Sequence, residues 1–312
     1  MYDIIIIGAG PAGLTAAIYA RRAQKSVLLI EKSTFGGQMT FSPKVENYPG
    51  ILKISGSELA DGMVSQAIEQ GAVLELDEVV EVALGSAPDY IKTVKCTGGV
   101  YTGRALIIAA GARHRMLGVP NEEKFIGDGI SYCAVCDGAF YKGKSVAVIG
   151  GGNSALQEAL LLSDTCKKVI IVQNLSFLTG EVKLQQQLYQ RDNIEVITET
   201  TVKSIIGEDK FEGIVTERVS DGTTKELFVD GMFVAIGLVP ENDPFKSVAR
   251  LDERGYIVAD ETSVTGTPGV FAAGDCRTKG VRQITTATAD GAVAALAACQ
   301  YVDEHLTASV KL

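Results

Sequence analysis

The chain has 312 residues, 46% of them hydrophobic, and a formal net charge of -9. Phosphate neutralisation needs a basic face, so this balance argues against nucleic acid as a partner. No stretch approaches the ~18 uninterrupted apolar residues of a membrane span, and Met1 leads straight into Ile4–Ile7 without a basic segment or cleavage site. The expectation is a soluble, cytoplasmic protein with no membrane partner.

Val/Ile-rich runs occur at Ile4–Ile7, Val27–Ile30, Ala105–Ala110, Val146–Ile149 and Val169–Val172, each ending in glycine or a polar residue. Most are followed by a helical pattern, and that alternation predicts parallel strands with crossover helices. The first run opens into Gly8-Ala9-Gly10-Pro11-Ala12-Gly13, and the next closes on Glu31. Glycines allow a tight turn and a close backbone approach, the helix N-terminus faces a pyrophosphate, and Glu31 can accept from a ribose hydroxyl. A dinucleotide site is predicted here.

Further along stands Cys133-Ala134-Val135-Cys136-Asp137-Gly138. A structural zinc site takes four ligands, and no second Cys/His pair has suitable spacing, the histidines being His114 and His305. No metal is expected. A redox dithiol fits better, since one thiolate can attack while the other resolves a mixed disulfide, and Asp137 could manage the protons. Cys96, Cys166, Cys276 and Cys299 are scattered and read as small packing residues.

The run at Val146–Ile149 leads into a second fingerprint, Gly150-Gly151-Gly152-Asn153-Ser154-Ala155. The offset that reaches Glu31 in the first unit reaches Gln173 here, where a carboxylate for NAD or an arginine for NADP belongs. A hydrogen bond to a charged group contributes roughly 1.5 to 3 kcal/mol, so losing two arginine contacts forfeits about a hundredfold or more in affinity. Either Gln173 and Asn174 bind a ribose as neutral partners, or this unit keeps only the shape.

Gly269-Val270-Phe271-Ala272-Ala273-Gly274-Asp275 is one more strand running into Gly-Asp, and it needs a sheet to join. The simplest arrangement is an α/β fold of two Rossmann-like dinucleotide-binding domains, the second inserted in the first: 1–113, then 114–242 inserted, then 243–312. Two adjacent chain crossings would form a hinge.

These motifs, in this order, resemble the low-molecular-weight thioredoxin reductases along essentially the whole chain. Further matching segments are Gly36-Gly37-Gln38, Glu46-Asn47-Tyr48-Pro49-Gly50 and Arg282-Gln283-Ile284-Thr285-Thr286-Ala287. The resemblance implies the class II pyridine nucleotide-disulfide oxidoreductase fold and a homodimer. It also implies FAD, held by Gly8, Gly10, Pro11, Ala12, Gly13, Glu31, Lys32, Gly36, Gly37, Gln38, Asn47, Ala110, Gly111, Gly274, Asp275, Arg282, Gln283 and Ile284. In the family's mechanism Cys136 would exchange electrons with the flavin, Cys133 would attack the disulfide of thioredoxin, and Asp137 would be the general acid.

The departure lies where NADPH-using members carry His-Arg-Arg and a further arginine, which here read Gln173-Asn174-Leu175 and Thr179. That combination resembles the ferredoxin-linked flavin thioredoxin reductases, with reduced ferredoxin as donor. An NAD(P)H-dependent reductase, a dithiol oxidase of the same fold and a non-catalytic flavoprotein stand as alternatives. An acidic ferredoxin would need a local basic surface, for which Arg113, Arg115, Lys142, Lys144, Lys167 and Lys168 are candidates.

Overall fold

A computed structural model of the chain describes residues 1–309 except Pro43 and Pro88, with side chains as far as His305. The chain forms two compact units: the first runs from Met1 to Arg113 and resumes at Val239, and the second is His114–Leu238.

The first unit opens with β1 (Tyr2–Ile7), α1 (Pro11–Arg22), β2 (Val27–Glu31), α2 (Gly56–Glu69), β3 (Val73–Leu76), β4 (Val79–Leu84), β5 (Lys92–Cys96) and β6 (Val100–Ile108). A short strand, β7 (Ala112–His114), leads out of it. The second unit contains β8 (Ile130–Ser131), α3 (Ala134–Asp137), β9 (Ser145–Ile149), α4 (Asn153–Ser163), β10 (Lys168–Val172), α5 (Val182–Tyr189) and β11 (Ile194–Ile197). It continues through β12 (Thr200–Ile206), β13 (Gly213–Arg218), β14 (Thr224–Phe228) and β15 (Gly231–Val234). After β16 (Leu238–Pro240) the chain re-enters the first unit and adds β17 (Val270–Ala272) and α6 (Ile284–Ser309).

The first sheet has the order β3-β2-β1-β6-β5-β4, with β17 also on β6. The strands β3, β2, β1, β6 and β17 run parallel, whereas β5 pairs antiparallel with the first half of β6 and with β4. Ile4, Ile5 and Ile6 are fully buried, as a parallel strand covered on both faces requires. The second unit repeats the plan as a parallel sheet β11-β10-β9-β15-β8, beside an antiparallel sheet β12-β13-β14.

The return to the first unit falls at Leu238–Val239, ahead of the boundary expected after Asn242. Asn242 is buried, and its Nδ2 donates to the carbonyls of Gly255 (2.8 Å) and Cys276 (2.9 Å), so it is built into the first unit. The expected strand Ala105–Ala110 also ends early, at Ile108, which leaves Ala110 and Gly111 in the loop beyond the strand end.

Lys92 on β5 is fully buried; its Nζ donates to the Arg104 carbonyl (2.7 Å) and lies 4.6 Å from the centre of the Tyr301 ring. Burial lowers its pKa to about 8 from 10.5. Between those values the unfolded chain holds a proton that the folded chain lacks, so stability rises with pH across that window. Urea unfolding at neutral and alkaline pH should show the wild type gaining stability relative to Lys92→Met as pH rises, and a constant difference would contradict this assignment.

Candidate active site

In the first unit the turn after β1 is held by its own backbone. Gly8 has φ +99°, its N–H donates to the Ile30 carbonyl (2.8 Å), and a Cβ there would overlap the carbonyl oxygen of Ala109. Gly13 is equally closed, against the carbonyl of Gly8, whereas a Cβ on Gly10 would meet nothing within 4 Å. Gly10 precedes α1, Pro11 fills its first turn, and no side chain caps its amides. The helix N-terminus is thus left open to an anion approaching over Gly10.

Glu31 ends β2 and closes the same turn. Its Oε2 accepts from the Ala9 amide (2.8 Å) and its Oε1 from the Ser33 amide (3.0 Å), so the carboxylate is oriented before any ribose reaches it. Lys32 points away to pair with Glu241. Gly36 and Gly37 adopt positive φ, and the Gly36 amide donates to the Ala9 carbonyl at 2.8 Å, which lays this loop on the fingerprint. Gln38 donates through Nε2 to the Ala112 carbonyl, just past Ala110 and Gly111.

On the C-terminal side, Gly274 has φ +77° and its amide donates to Oδ2 of Asp290 on α6 at 2.9 Å. Asp290 is gripped at both oxygens by Arg277, which is 1% exposed (Nε to Oδ2 and Nη2 to Oδ1, each 2.8 Å), and by Lys279 (2.9 Å). This network fixes the Gly274-Asp275 turn. Asp275 follows with its Oδ1 buried and unpartnered among the described residues, and burial pushes its pKa up while Lys279 and Arg282 pull it down. Arg282 lies over the Tyr256 ring at 4.4 Å, and Gln283 accepts from Asn47 (3.2 Å) immediately before Ile284 opens α6.

A buried acceptor awaiting a hydroxyl, an uncapped helix N-terminus and glycines with open space at Gly10 and Gly111 are what a dinucleotide cofactor requires, so these residues fit FAD. Arg277, Lys279 and Asp290 escaped the sequence reading, because only the fold carries α6 back to the Gly-Asp turn.

In the second unit Cys133 and Cys136 form a disulfide across the first turn of α3, with a Cα–Cα distance of 5.3 Å. The Cys136 amide donates to Cys133 Sγ at 3.2 Å. Ser131, at the end of β8, donates to Asp137 Oδ2 (2.6 Å) and accepts from the Cys133 amide (3.1 Å), linking the acid to the dithiol. The other oxygen of Asp137 is buried and has no partner among the described residues, and burial raises the pKa. Ser131 was not singled out from sequence, since a lone serine before a cysteine carries no pattern. The remaining cysteines are buried free thiols, and among the described residues no group of His, Cys, Asp or Glu could hold a metal.

The second fingerprint has the same turn and a different fate. Gly150 has φ +127°, and a Cβ there would lie 2.5 Å from the Ala235 carbonyl oxygen. Over Gly151 lies the side chain of Gln173, 5% exposed, whose Nε2 donates to the Phe177 carbonyl (3.2 Å). The amides of Thr179 (2.8 Å) and Gly180 (2.9 Å) donate to the Gly151 carbonyl, drawing that segment onto the turn. Glu181 is bound to Asn153, the first residue of α4, so a carboxylate stands at the helix entrance. Such a charge opposes an incoming phosphate.

Two dinucleotide folds, one with a cofactor cradle and the other with a dithiol, define a flavin-dependent disulfide oxidoreductase. The chain belongs to the pyridine nucleotide-disulphide oxidoreductase family, whose model matches residues 2–291. It is 45% identical over 305 residues to a thioredoxin reductase of Listeria innocua, covering 97% of this chain and 95% of the relative. A 34.2 kDa protein in the rubredoxin operon of Clostridium pasteurianum is 43% identical over 300 residues, covering 96% of this chain and 97% of the relative. The crystal structure of thioredoxin reductase from Streptococcus pyogenes superposes with a TM-score of 0.91 at 39% identity, covering 97% of this chain and 99% of that one. The cofactor is FAD, and the enzyme is of the thioredoxin reductase type. No helix among the described residues is long and apolar enough to cross a membrane.

Removing one member of a buried ion pair strands the other, at a cost of about 3–5 kcal/mol. Asp290→Ala should therefore lower the unfolding free energy by about that amount and release FAD on gel filtration, whereas substituting the exposed Asp243 should do neither.

Proposed function

We propose that this enzyme reduces the disulfide of a thioredoxin with electrons from reduced ferredoxin rather than from NADPH. FAD would be held by Gly8 to Gly13, Glu31, Gly36 to Gln38, Asn47, Ala110, Gly111, Gly274, Asp275 and Arg282 to Ile284, with Lys32 at the rim. When bound, it supplies the capacity to accept electrons singly and pass them on as a pair. Cys136 would be the sulfur exchanging electrons with the cofactor, and Cys133, whose Sγ already accepts an amide, would attack the thioredoxin disulfide. Asp137, partly buried and tied to Ser131, would hold the proton that the leaving sulfur needs.

The observation that carries the donor assignment is the second fingerprint. Its 2'-phosphate positions hold Gln173, Asn174, Leu175 and Thr179 in place of cations, Gln173 and the Phe177–Gly180 segment fold over the turn, and Glu181 guards the helix entrance. The Clostridium pasteurianum relative, named for a rubredoxin operon, places a similar protein beside a one-electron carrier. For ferredoxin docking, Arg113 and Lys168 are paired with Glu241 and Glu195, which favours the exposed Arg115, Lys142 and Lys167. The family likeness also supports a cytoplasmic homodimer.

Anaerobic stopped-flow tests the donor: reduced ferredoxin should bleach the flavin rapidly while NADPH at micromolar concentration leaves it oxidised, and fast bleaching by NADPH would refute the assignment. The thiol roles have a separate test. Cys136→Ser, mixed with a thioredoxin whose resolving cysteine is removed and whose remaining cysteine carries a thionitrobenzoate disulfide, should displace thionitrobenzoate and form a covalent complex on a non-reducing gel, and Cys133→Ser should not.

A further inference from the structure

Ser131 ends β8, is buried, and stands two positions before Cys133. A hydroxyl has one hydrogen to give and two lone pairs to receive with, so its contacts can be assigned one at a time. The Cys133 amide can only donate, and its 3.1 Å contact with Ser131 Oγ takes one lone pair. The hydrogen then has two acceptors within reach. The Cys133 carbonyl is 3.5 Å away, at the edge of bonding distance, and already accepts from the amides of Cys136 (3.1 Å) and Asp137 (3.0 Å). Asp137 Oδ2 is 2.6 Å away, the short separation of a hydroxyl on a carboxylate. The hydroxyl hydrogen therefore points at Oδ2.

The two oxygens of Asp137 are thereby made unequal. A carboxyl proton on Oδ2 would meet the hydroxyl hydrogen across that short contact, whereas Oδ1 is buried and has no partner among the described residues. Oδ1 is the oxygen left to carry the proton. No neighbouring cation competes for the charged form: β8 has no ionisable residue, and of the elements packed most closely on α3, α4 carries Glu158 and the turn Gly138–Tyr141 carries Tyr141. Burial raises the Asp137 pKa, and the Ser131 hydrogen bond pulls it the other way.

We propose that Ser131 is a positioning residue of the reaction: its hydroxyl holds Oδ2 of Asp137 as an acceptor, so that the transferable proton sits on Oδ1, and it ties that acid to the Cys133 amide. In the reduction of thioredoxin the Cys133 thiolate bonds to one sulfur of the substrate disulfide as that S–S bond breaks, and the departing sulfur takes the proton from Oδ1. Cys136 then bonds to Cys133, and the second substrate sulfur leaves with the proton of the Cys136 thiol. Two electrons thus come from the dithiol, and two protons from Asp137 and Cys136. Solvent returns the proton to Asp137 when the dithiol is next reduced.

This role for Ser131 rests on Asp137 being the acid and is independent of the electron donor, so the test follows a single turnover. Flavin-loaded enzyme, reduced with dithiothreitol and freed of it anaerobically, is mixed with oxidised thioredoxin, and thioredoxin thiols are measured against time over a range of pH. The acid must be protonated, so the rate falls as pH rises through the Asp137 pKa. Ser131 bonds the charged form, and its loss raises that pKa; Ser131→Ala should move the alkaline limb to higher pH while lowering the plateau about tenfold. Ser131→Thr keeps the hydroxyl and should return the limb to its wild-type position. A Ser131→Ala enzyme with its limb unmoved, slow or not, overturns the proposal. Should that variant fail to fold, a displaced limb in Ser131→Thr overturns it. Asp137→Asn separates the two readings: a full rate in that variant removes the acid and the role of Ser131 with it, whereas a slow Asp137→Asn beside an unshifted Ser131→Ala removes only the role of Ser131.

Discussion

Each unit is organised by a carbonyl oxygen that occupies the place where a side chain would begin. In the first the oxygen belongs to Ala109 and the excluded Cβ to Gly8; in the second they belong to Ala235 and Gly150. In both, a parallel neighbour of the fingerprint strand ends beside the turn, β6 against β1 and β15 against β9. The glycine's positive φ lets the chain turn back at once, and the helix N-terminus then stands over the strand ends. Any Cβ at either position would push the turn off its neighbour and misplace everything built above it.

From that shared turn the two units diverge through what covers it. The first leaves Gly10 open and surrounds the space with groups already tied down, Glu31 by two amides and the Gly274-Asp275 turn by Asp290. The second lays Gln173 on Gly151 and sets Glu181 at the helix entrance. The same fold thus presents an open turn in one case and a covered turn beside α3 and its dithiol in the other.

The treatment of buried charge follows the same division. Around the Gly274-Asp275 turn, charge is paired: Arg277 and Lys279 close on Asp290, which holds that carboxyl below its ordinary pKa. Around the dithiol, burial pushes the carboxyls of Asp137 and Glu158 upward. Paired charges fix geometry, whereas a carboxyl raised by burial holds its proton more readily, and disulfide reduction needs protons as well as electrons.

What the sequence determined by itself was the part written in local pattern. Continuous apolar runs marked β1, β2, β9 and β10, because parallel strands are buried on both faces, and the glycines after β1 and β9 marked the tight turns. Cys133, Cys136 and Asp137 were legible for the same reason, being close in sequence. The parallel edge strand β3 and the antiparallel strands β4, β5 and β12 to β14 were not, since about half their side chains face water and the apolar signal is diluted. Tertiary structure alone decided the return at Leu238–Val239, the grip of Arg277 and Lys279 on Asp290, and the cover that Gln173 places on Gly151. Each of these joins residues from separate elements through a contact that exists only once helices and strand ends are packed, and no spacing along the chain encodes it.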